Sequence, residues 1–302
     1  MTRCLRLMTG VCLIPLFAFA TLGCGGNGTP TTPDTTTDTT PTKKEMTKVA
    51  ATGWGKLSGK VTLDGTPPPL SPPDFKSLAK ALPNPEAREV CLEGDLTNPR
   101  WKVGADNSVA NVVVFLRPVD PKTQYFDIPA EILEEYKSGD KSKATLDQPF
   151  CAFVPHVQTL FAFYSPDGKK TVPTGQTFSV VNSAPIPHNT NYQGGSRQPK
   201  GNTNLKPNDE KGITLNIPPD YFSPLRFKCD IHGWMEAYAW SLDHPFAAVT
   251  NEKGEFVIDK VPAGADVDIY YWHESFGTKP PQKLETVKFT DGDNEKNFSI
   301  QP

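Results

Sequence analysis

The sequence predicts an all-β protein of the sandwich type. Short runs that alternate apolar and polar residues recur along the chain, and clusters of Gly, Pro, Asn and Asp separate them. Its 31 prolines among 302 residues fit short strands with many turns. A helical pattern is limited to two segments, 129–138 and 74–82. Strands are expected at 57–63, 111–116, 177–182, 212–217, 236–242, 246–250, 255–258 and 265–272.

The first 23 residues have the pattern of an export signal. Arg3 and Arg6 form a basic start without acidic residues, an apolar run follows, and small residues end the segment. The apolar run is too short to span a bilayer as a helix. The protein is therefore expected to be exported.

The stretch before Cys24 resembles the lipobox of bacterial lipoproteins, although Thr21 stands where that motif has Leu. This resemblance implies lipidation at Cys24, with the chain held at a membrane surface in the periplasm or at the cell surface. The alternative is ordinary cleavage that leaves Cys24 unmodified. Residues 24–50 are rich in Thr and Pro and almost free of apolar residues, which predicts a disordered tether.

Charge excludes one class of partner. Without Arg3 and Arg6, the 31 basic residues fall to 29, against 34 acidic ones, and no basic stripe is evident. This balance argues against binding to nucleic acid.

The remaining chain is expected to hold two domains. The segments "LSGKVTLDGTPPP", "NVVVFLRP" and "FAAVTNEKGEFVI" resemble the carboxypeptidase regulatory-like domain, a small transthyretin-like sandwich. Their spacing implies a split domain at 51–120 plus 244–302. A helical connector at 121–144 and an inserted domain at 145–243 would separate the two pieces. Gly254 is expected to take a positive φ in the turn between two strands.

The inserted segment carries the candidate metal ligands. "CDIHGWM" places Cys229, His232 and Met235 on a loop between two predicted strands, and "PHN" places His188 in a Pro-rich loop after another strand. One thiolate, two imidazoles and a weak thioether suit copper in electron transfer, since sulfur favours Cu(I) and imidazole serves both redox states.

These motifs, with the P-x-G-x6-N stretch before the first His, resemble the cupredoxins, and the loop length is similar to the amicyanin type. The resemblance implies a Greek-key sandwich with one type 1 copper, bound by His188, Cys229, His232 and axial Met235. It implies single-electron transfer between redox proteins rather than an enzyme. Asn189 would tie the two ligand loops together, and Trp234 would lie near a docking surface for partners.

Three of the six cysteines lie in the part expected to fold: Cys91, Cys151 and Cys229. An oxidising compartment permits one disulfide and leaves one thiol. If Cys229 binds copper, Cys91 and Cys151 are left as disulfide partners.

Other assignments stay open. Cys151 and His156 could join Cys229 and His232 in a Cys2His2 zinc site, which would leave His188 without a role. The chain could also be a non-redox binding or structural lipoprotein, with zinc or no metal, or a protein of copper storage or delivery. His156, His244 and His273 are expected to be structural, although a second metal site near the domain junction is an alternative.

Overall fold

The computed structural model describes residues 45–302. The predicted signal at 1–23, Cys24 and most of the predicted tether at 24–50 lie outside the described residues. The described residues belong to one compact unit, and the predicted domain boundaries inside it stay a prediction. Of the helices in this part of the chain, none has the length and apolar character that a membrane span requires.

The all-β class is confirmed, and strands dominate the described chain. The strands, in chain order, are β1 (Thr47–Lys48), β2 (Gly53–Leu63), β3 (Val113–Pro118), β4 (Gln124–Tyr125), β5 (Lys143–Phe150), β6 (Ala152–Val154), β7 (Val157–Leu160), β8 (Phe163–Tyr164), β9 (Val172–Pro173), β10 (Thr177–Asn182), β11 (His188–Gln193), β12 (Lys200–Leu205), β13 (Asp209–Thr214), β14 (Leu225–Lys228), β15 (Glu236–Ser241), β16 (Ala247–Val249), β17 (Glu255–Ala263), β18 (Asp266–Trp272), β19 (Gln282–Lys288), β20 (Asp293–Glu295) and β21 (Phe298–Ile300). The α-helices are α1 (Lys76–Lys80), α2 (Pro85–Glu93) and α3 (Ala130–Lys137).

Helices α1 and α3 fall within the two predicted helical segments, whereas α2 was not predicted. Asn84 caps α2, because its side chain accepts the backbone N–H groups of Glu86 at 2.9 Å and Ala87 at 3.3 Å. Pro85 then occupies the first helical position, where its missing N–H is not needed. These signals were present in the sequence, but α2 buries only Val90 and Cys91, so its apolar periodicity is short.

Two sheets enclose the first core. Sheet 1 has the strand order β13-β10-β5-β6, and sheet 2 has the order β12-β11-β14-β15-β7. Inward side chains of both sheets form one buried cluster, which includes Leu146, Phe178 and Phe227. Cys229 and Met235 belong to the same cluster, so the candidate metal loop begins and ends at the edge of this core.

The other two sheets enclose a second core. Sheet 3 has the order β16-β3-β18-β19, and sheet 4 has the order β17-β2-β20, with β21 also pairing with β2. The buried cluster between them includes Leu57 and Ile269. Gly254 has a φ of +71° in the turn before β17, as predicted. Val49 is buried in this core and β1 pairs with β4, so ordered structure begins ahead of the predicted boundary at 51.

A third apolar layer joins sheets 2 and 3. Trp240 of β15 lies 5.5 Å from Phe115 of β3 and 5.8 Å from Trp272 of β18, measured between ring centroids. Tyr238 and Val157 extend the layer. Because strand residues alternate between faces, β3 and β15 are buried on both sides.

We expect Trp240→Ala to reduce the free energy of unfolding by about 3–5 kcal/mol, because it removes a fully buried side chain from this layer. Chemical denaturation measures the change. Phe222, which is 65% exposed, is the matched aromatic control, and Phe222→Ala should cost less than about 1 kcal/mol. Equal effects of the two substitutions would contradict a structural role for the layer.

Candidate metal centre

His188 is held at the start of β11 by the side chain of Asn182, the last residue of β10. Asn182 Nδ2 donates to the carbonyl oxygens of Ile186 at 2.9 Å and Lys206 at 2.8 Å. The amide oxygen of Asn182 therefore faces His188 Nδ1, at 3.0 Å. A single buried amide thus sets both the shape of the Pro-rich loop and the direction of the imidazole.

This contact fixes the tautomer of His188. Since Asn182 Oδ1 can only accept, His188 Nδ1 carries the proton and Nε2 carries the lone pair. His188 is fully buried, and Nε2 has no hydrogen-bond partner in the described part of the chain. Burial, with a smaller contribution from neighbouring His232, lowers the pKa of His188 to about 3. The ring is therefore neutral near pH 7, with one lone pair free for a metal ion.

His232 lies beside His188 on the loop between β14 and β15. The two ring centroids are 4.9 Å apart. His232 Nδ1 is buried and, among residues 45–302, lacks a hydrogen-bond partner. Burial lowers the pKa of His232 as well. The pair thus offers two neutral imidazoles with unpartnered nitrogens.

The loop that carries His232 is closed by its own backbone. Met235 N donates to the His232 carbonyl at 2.9 Å, and Cys229 N donates to the Met235 carbonyl at 3.3 Å. The His232 N–H points to Cys229 Sγ at 3.4 Å. These bonds hold Cys229, His232 and Met235 in one closed turn, and their side chains are all buried.

Asn189 connects this loop to the His188 strand. Its Oδ1 accepts the backbone N–H groups of Asp230 at 2.6 Å and Ile231 at 3.2 Å, and it lies 3.3 Å from Cys229 Sγ. Its Nδ2 donates to Asp230 Oδ2 at 2.9 Å. The hydrogen bonds of Asn202 and Asn191 to the same carboxylate lower the pKa of Asp230, with a further contribution from Asn189.

Cys229 is, within the described residues, the one cysteine outside a disulfide. Burial raises the pKa of its thiol, and hydrogen bonds from the backbone N–H groups of Asn189 and His232 oppose the shift in part. The thiol is therefore protonated near pH 7 and would lose its proton on binding a metal ion.

Trp234 connects the loop to the Cys91–Cys151 disulfide, which the structure contains. The half-buried indole donates from Nε1 to the Cys151 carbonyl at 3.0 Å and stacks with Phe75, the ring centroids being 6.3 Å apart. It also lines a cleft of about 430 Å³ that reaches Cys151 and Met235. A role of Trp234 in docking stays a prediction.

Among the described residues, neither His188 nor Cys229 belongs to a group of three His, Cys or acidic side chains whose ligand atoms lie within 4.8 Å of one another. The group that meets this distance contains His232 and the two disulfide cysteines. Cys91 Sγ, Cys151 Sγ and a ring nitrogen of His232 all lie within 4.8 Å of one another and are buried. Such a group could hold a metal ion, but its two sulfurs are joined to each other in the structure.

The zinc alternative does not fit this arrangement. Cys151 is bonded to Cys91, and both nitrogens of His156 face acceptors. His156 Nδ1 lies 2.9 Å from the Glu236 carbonyl, and Nε2 lies 2.7 Å from Glu274 Oε1. Both ring nitrogens of His156 are thus already engaged by protein groups, and neither faces Cys229 or His232. His156 instead connects Glu236, the residue after Met235, to Glu274, which lies just after β18.

His244 and His273 are buried away from these loops. His244 Nδ1 accepts the Phe246 N–H at 3.1 Å, and His273 Nδ1 lies 2.9 Å from Ser275 Oγ. Burial lowers the pKa of His244 to about 3 and that of His273 to about 4. No metal-ligand group of the described residues includes either histidine.

Comparisons with protein-family models, with curated proteins and with solved structures found no match to this chain. The cupredoxin and carboxypeptidase regulatory-like resemblances therefore remain predictions from motifs.

The role of Asn182 was not assigned from the sequence. It ends the predicted strand 177–182 and occupies the Asn position of the P-x-G-x6-N stretch, which was the available signal. Its contacts with Ile186, His188 and Lys206 involve residues up to 24 positions away, and only the folded chain brings them together.

Replacing Asn189 tests the connection between the two ligand strands. Asn189→Ala leaves the N–H groups of Asp230 and Ile231 without their acceptor, so we expect a loss of about 1–3 kcal/mol in the free energy of unfolding. Asn204 lies opposite Asn189 on β12 and is exposed, so Asn204→Ala is the matched control, with an effect within about 0.5 kcal/mol. Similar losses for both would contradict the assignment.

The buried histidines predict a pH dependence for the metal-free chain. Because the folded-state pKa of His244 lies below its unfolded value of 6.5, the unfolded state binds more protons between pH 6.5 and pH 3. Stability is therefore lost as pH falls through that window, by about 1–2 kcal/mol per such histidine between pH 7 and pH 5. Urea unfolding at pH 7 and at pH 5 measures this loss in the free energy of unfolding.

The variant for this test is His244→Asn, whose amide oxygen can still accept the Phe246 N–H. Between pH 7 and pH 5, we expect this variant to lose about 1–2 kcal/mol less in its free energy of unfolding than the wild-type chain does. An unchanged difference would show that His244 does not contribute.

Proposed function

We propose that this protein is an exported, membrane-tethered type 1 copper protein that transfers single electrons between redox partners. His188, Cys229 and His232 would be the equatorial ligands and Met235 the weak axial ligand. The observation that carries the proposal is the pair of neutral, buried imidazoles with unpartnered nitrogens, whose ring centroids are 4.9 Å apart. The free, buried Cys229 lies on the same loop as His232, and its sulfur is 3.4 Å from the His232 backbone nitrogen. Unpartnered buried polar atoms are costly, and a bound ion would satisfy them.

The chemistry of the donor set also supports copper. A thiolate, two imidazoles and a thioether suit both Cu(I) and Cu(II), and the bound ion would supply reversible one-electron transfer. The protein's contribution is orientation. Asn182 directs the lone pair of His188, and Asn189 fixes the loop that carries Cys229, so little rearrangement is needed between redox states.

Export and tethering are proposed on the leader-like pattern of residues 1–23 and the lipobox-like Cys24. Partners would meet the protein near Ile231 and Trp234. Ile231 is 51% exposed on the candidate metal loop, and Trp234 is half-buried beside it. The proposed partners are redox proteins, not nucleic acids.

Loading the purified chain with Cu(II) tests the proposal. We expect an intense visible absorption band from the thiolate-to-copper transition, with one copper ion per chain. Cys229→Ser should abolish the band, because serine cannot supply the thiolate. A wild-type chain that binds Cu(II) without this band would refute the proposal.

Two variants serve as controls for this measurement. Met235→Gln should keep the band and change the reduction potential, because Gln can replace Met as the axial ligand. His244→Asn should leave both unchanged, since His244 lies outside the proposed set. Loss of the band in His244→Asn would contradict the assignment of the ligands.

A further inference from the structure

The Cys91–Cys151 disulfide lies beside the ring of His232. Cys91 is on α2 and Cys151 lies between β5 and β6, so the bond links two parts of the chain at the edge of the first core. Both sulfurs lie within 4.8 Å of a ring nitrogen of His232. His232 is buried, with 2% of its surface exposed. Its Nδ1 has no hydrogen-bond partner in the described chain.

We propose that reduction of the Cys91–Cys151 disulfide opens a second metal site, in which Cys91, Cys151 and His232 bind one thiophilic d10 cation, Cu(I) or Zn(II). Two thiolates and an imidazole are donors that both ions accept. This inference goes beyond the proposed electron transfer and does not depend on Cys229.

The chemistry balances with a dithiol as the reductant. Two electrons and two protons pass from the dithiol to the protein disulfide, which yields the Cys91 and Cys151 thiols and an oxidised, disulfide form of the reductant. The cation then displaces one proton from each thiol as the two metal–sulfur bonds form.

The surroundings provide a route to the site. Cys151 lines the cleft of about 430 Å³ together with Trp234, so the cleft reaches the residue that carries one of the two buried sulfurs. The Trp234 indole holds the Cys151 carbonyl at 3.0 Å, which keeps this side of the site in place when the sulfurs separate.

The site is shared with the proposed copper centre through His232. An ion bound by the two cysteines would engage the imidazole that Cys229 and His188 need for copper. The redox state of the disulfide would therefore decide which donor set His232 serves.

The test uses the full-length chain with Cys4, Cys12, Cys24 and Cys229 replaced by Ser, which leaves Cys91 and Cys151 as its cysteines. The chain is reduced anaerobically with a phosphine, freed of reductant and titrated with Cd²⁺. We expect one Cd²⁺ per reduced chain with an ultraviolet thiolate-to-cadmium band, and no band in the oxidised chain. Absence of the band after reduction would overturn the proposal.

Two variants in the same background test the role of the histidine. His232→Gln should weaken Cd²⁺ binding by about tenfold or more. His244→Asn should leave the affinity unchanged. Equal affinities in all three chains would mean that two thiols bind Cd²⁺ without His232, and the proposed site would be wrong.

Two further measurements accompany the Cd²⁺ titration, one of folding and one of the identity of the ion. Near-ultraviolet circular dichroism should show a folded chain in the presence of Cd²⁺, since binding favours the state that holds the site. A reduced chain that stays unfolded with Cd²⁺ overturns the proposal. Displacement of Cd²⁺ by Zn²⁺ or by Cu(I) supports the site and identifies its ion, and failure of both to displace it is contrary evidence.

The outcome is independent of the copper proposal. A wild-type chain without a visible Cu(II) band, combined with Cd²⁺ binding after reduction, would reject the copper proposal alone. A visible Cu(II) band in the wild-type chain, combined with no Cd²⁺ binding after reduction, would reject only the second site.

Discussion

Tyr238 and Trp240 of β15 pack against sheet 3, while Ala237 and Ala239 of the same strand pack into the core between sheets 1 and 2. Because successive side chains of a strand point to opposite faces, the alanines face the first core and the aromatic residues face the layer between sheets 2 and 3. A register slip of one residue would exchange them and disrupt both cores. The position of β15 is therefore strongly specified, and the parallel pairing with β7 depends on it.

The candidate metal loop takes its geometry from this strand. β14 and β15 are hydrogen-bonded neighbours, so the residues just before Cys229 and just after Met235 are held in fixed register. At the end of the candidate metal loop, just after Met235, His156 connects the Glu236 carbonyl to the buried Glu274 carboxylate. Burial raises the pKa of Glu274, but the contacts with His156 and Arg100 outweigh it and the net shift is downward. A charged, hydrogen-bonded group just after β18 thus stabilises the end of the candidate metal loop, which connects two strands of sheet 2.

Local patterns were sufficient to predict the class and the candidate ligands. Alternating apolar residues predicted most of the large strands, and the spacing of Cys229, His232 and Met235 indicated one loop. The contacts of Asn182 and Glu274 could not be predicted, because Glu274 meets His156 across 118 positions of sequence. Helix α2 had clear capping signals but little apolar periodicity, and periodicity was the criterion applied to helices.

The proposed copper ligands and the proposed second site share one side chain, the imidazole of His232. His188 is restricted to one lone pair by Asn182, so it can serve only one ion. His232 faces Cys229 through its backbone N–H and the Cys91–Cys151 pair through its ring. If both proposals hold, the disulfide would keep two thiolate donors from competing with Cys229 for a soft ion. The oxidised state of Cys91 and Cys151 would then itself be a condition for selective copper binding at the proposed four-ligand set.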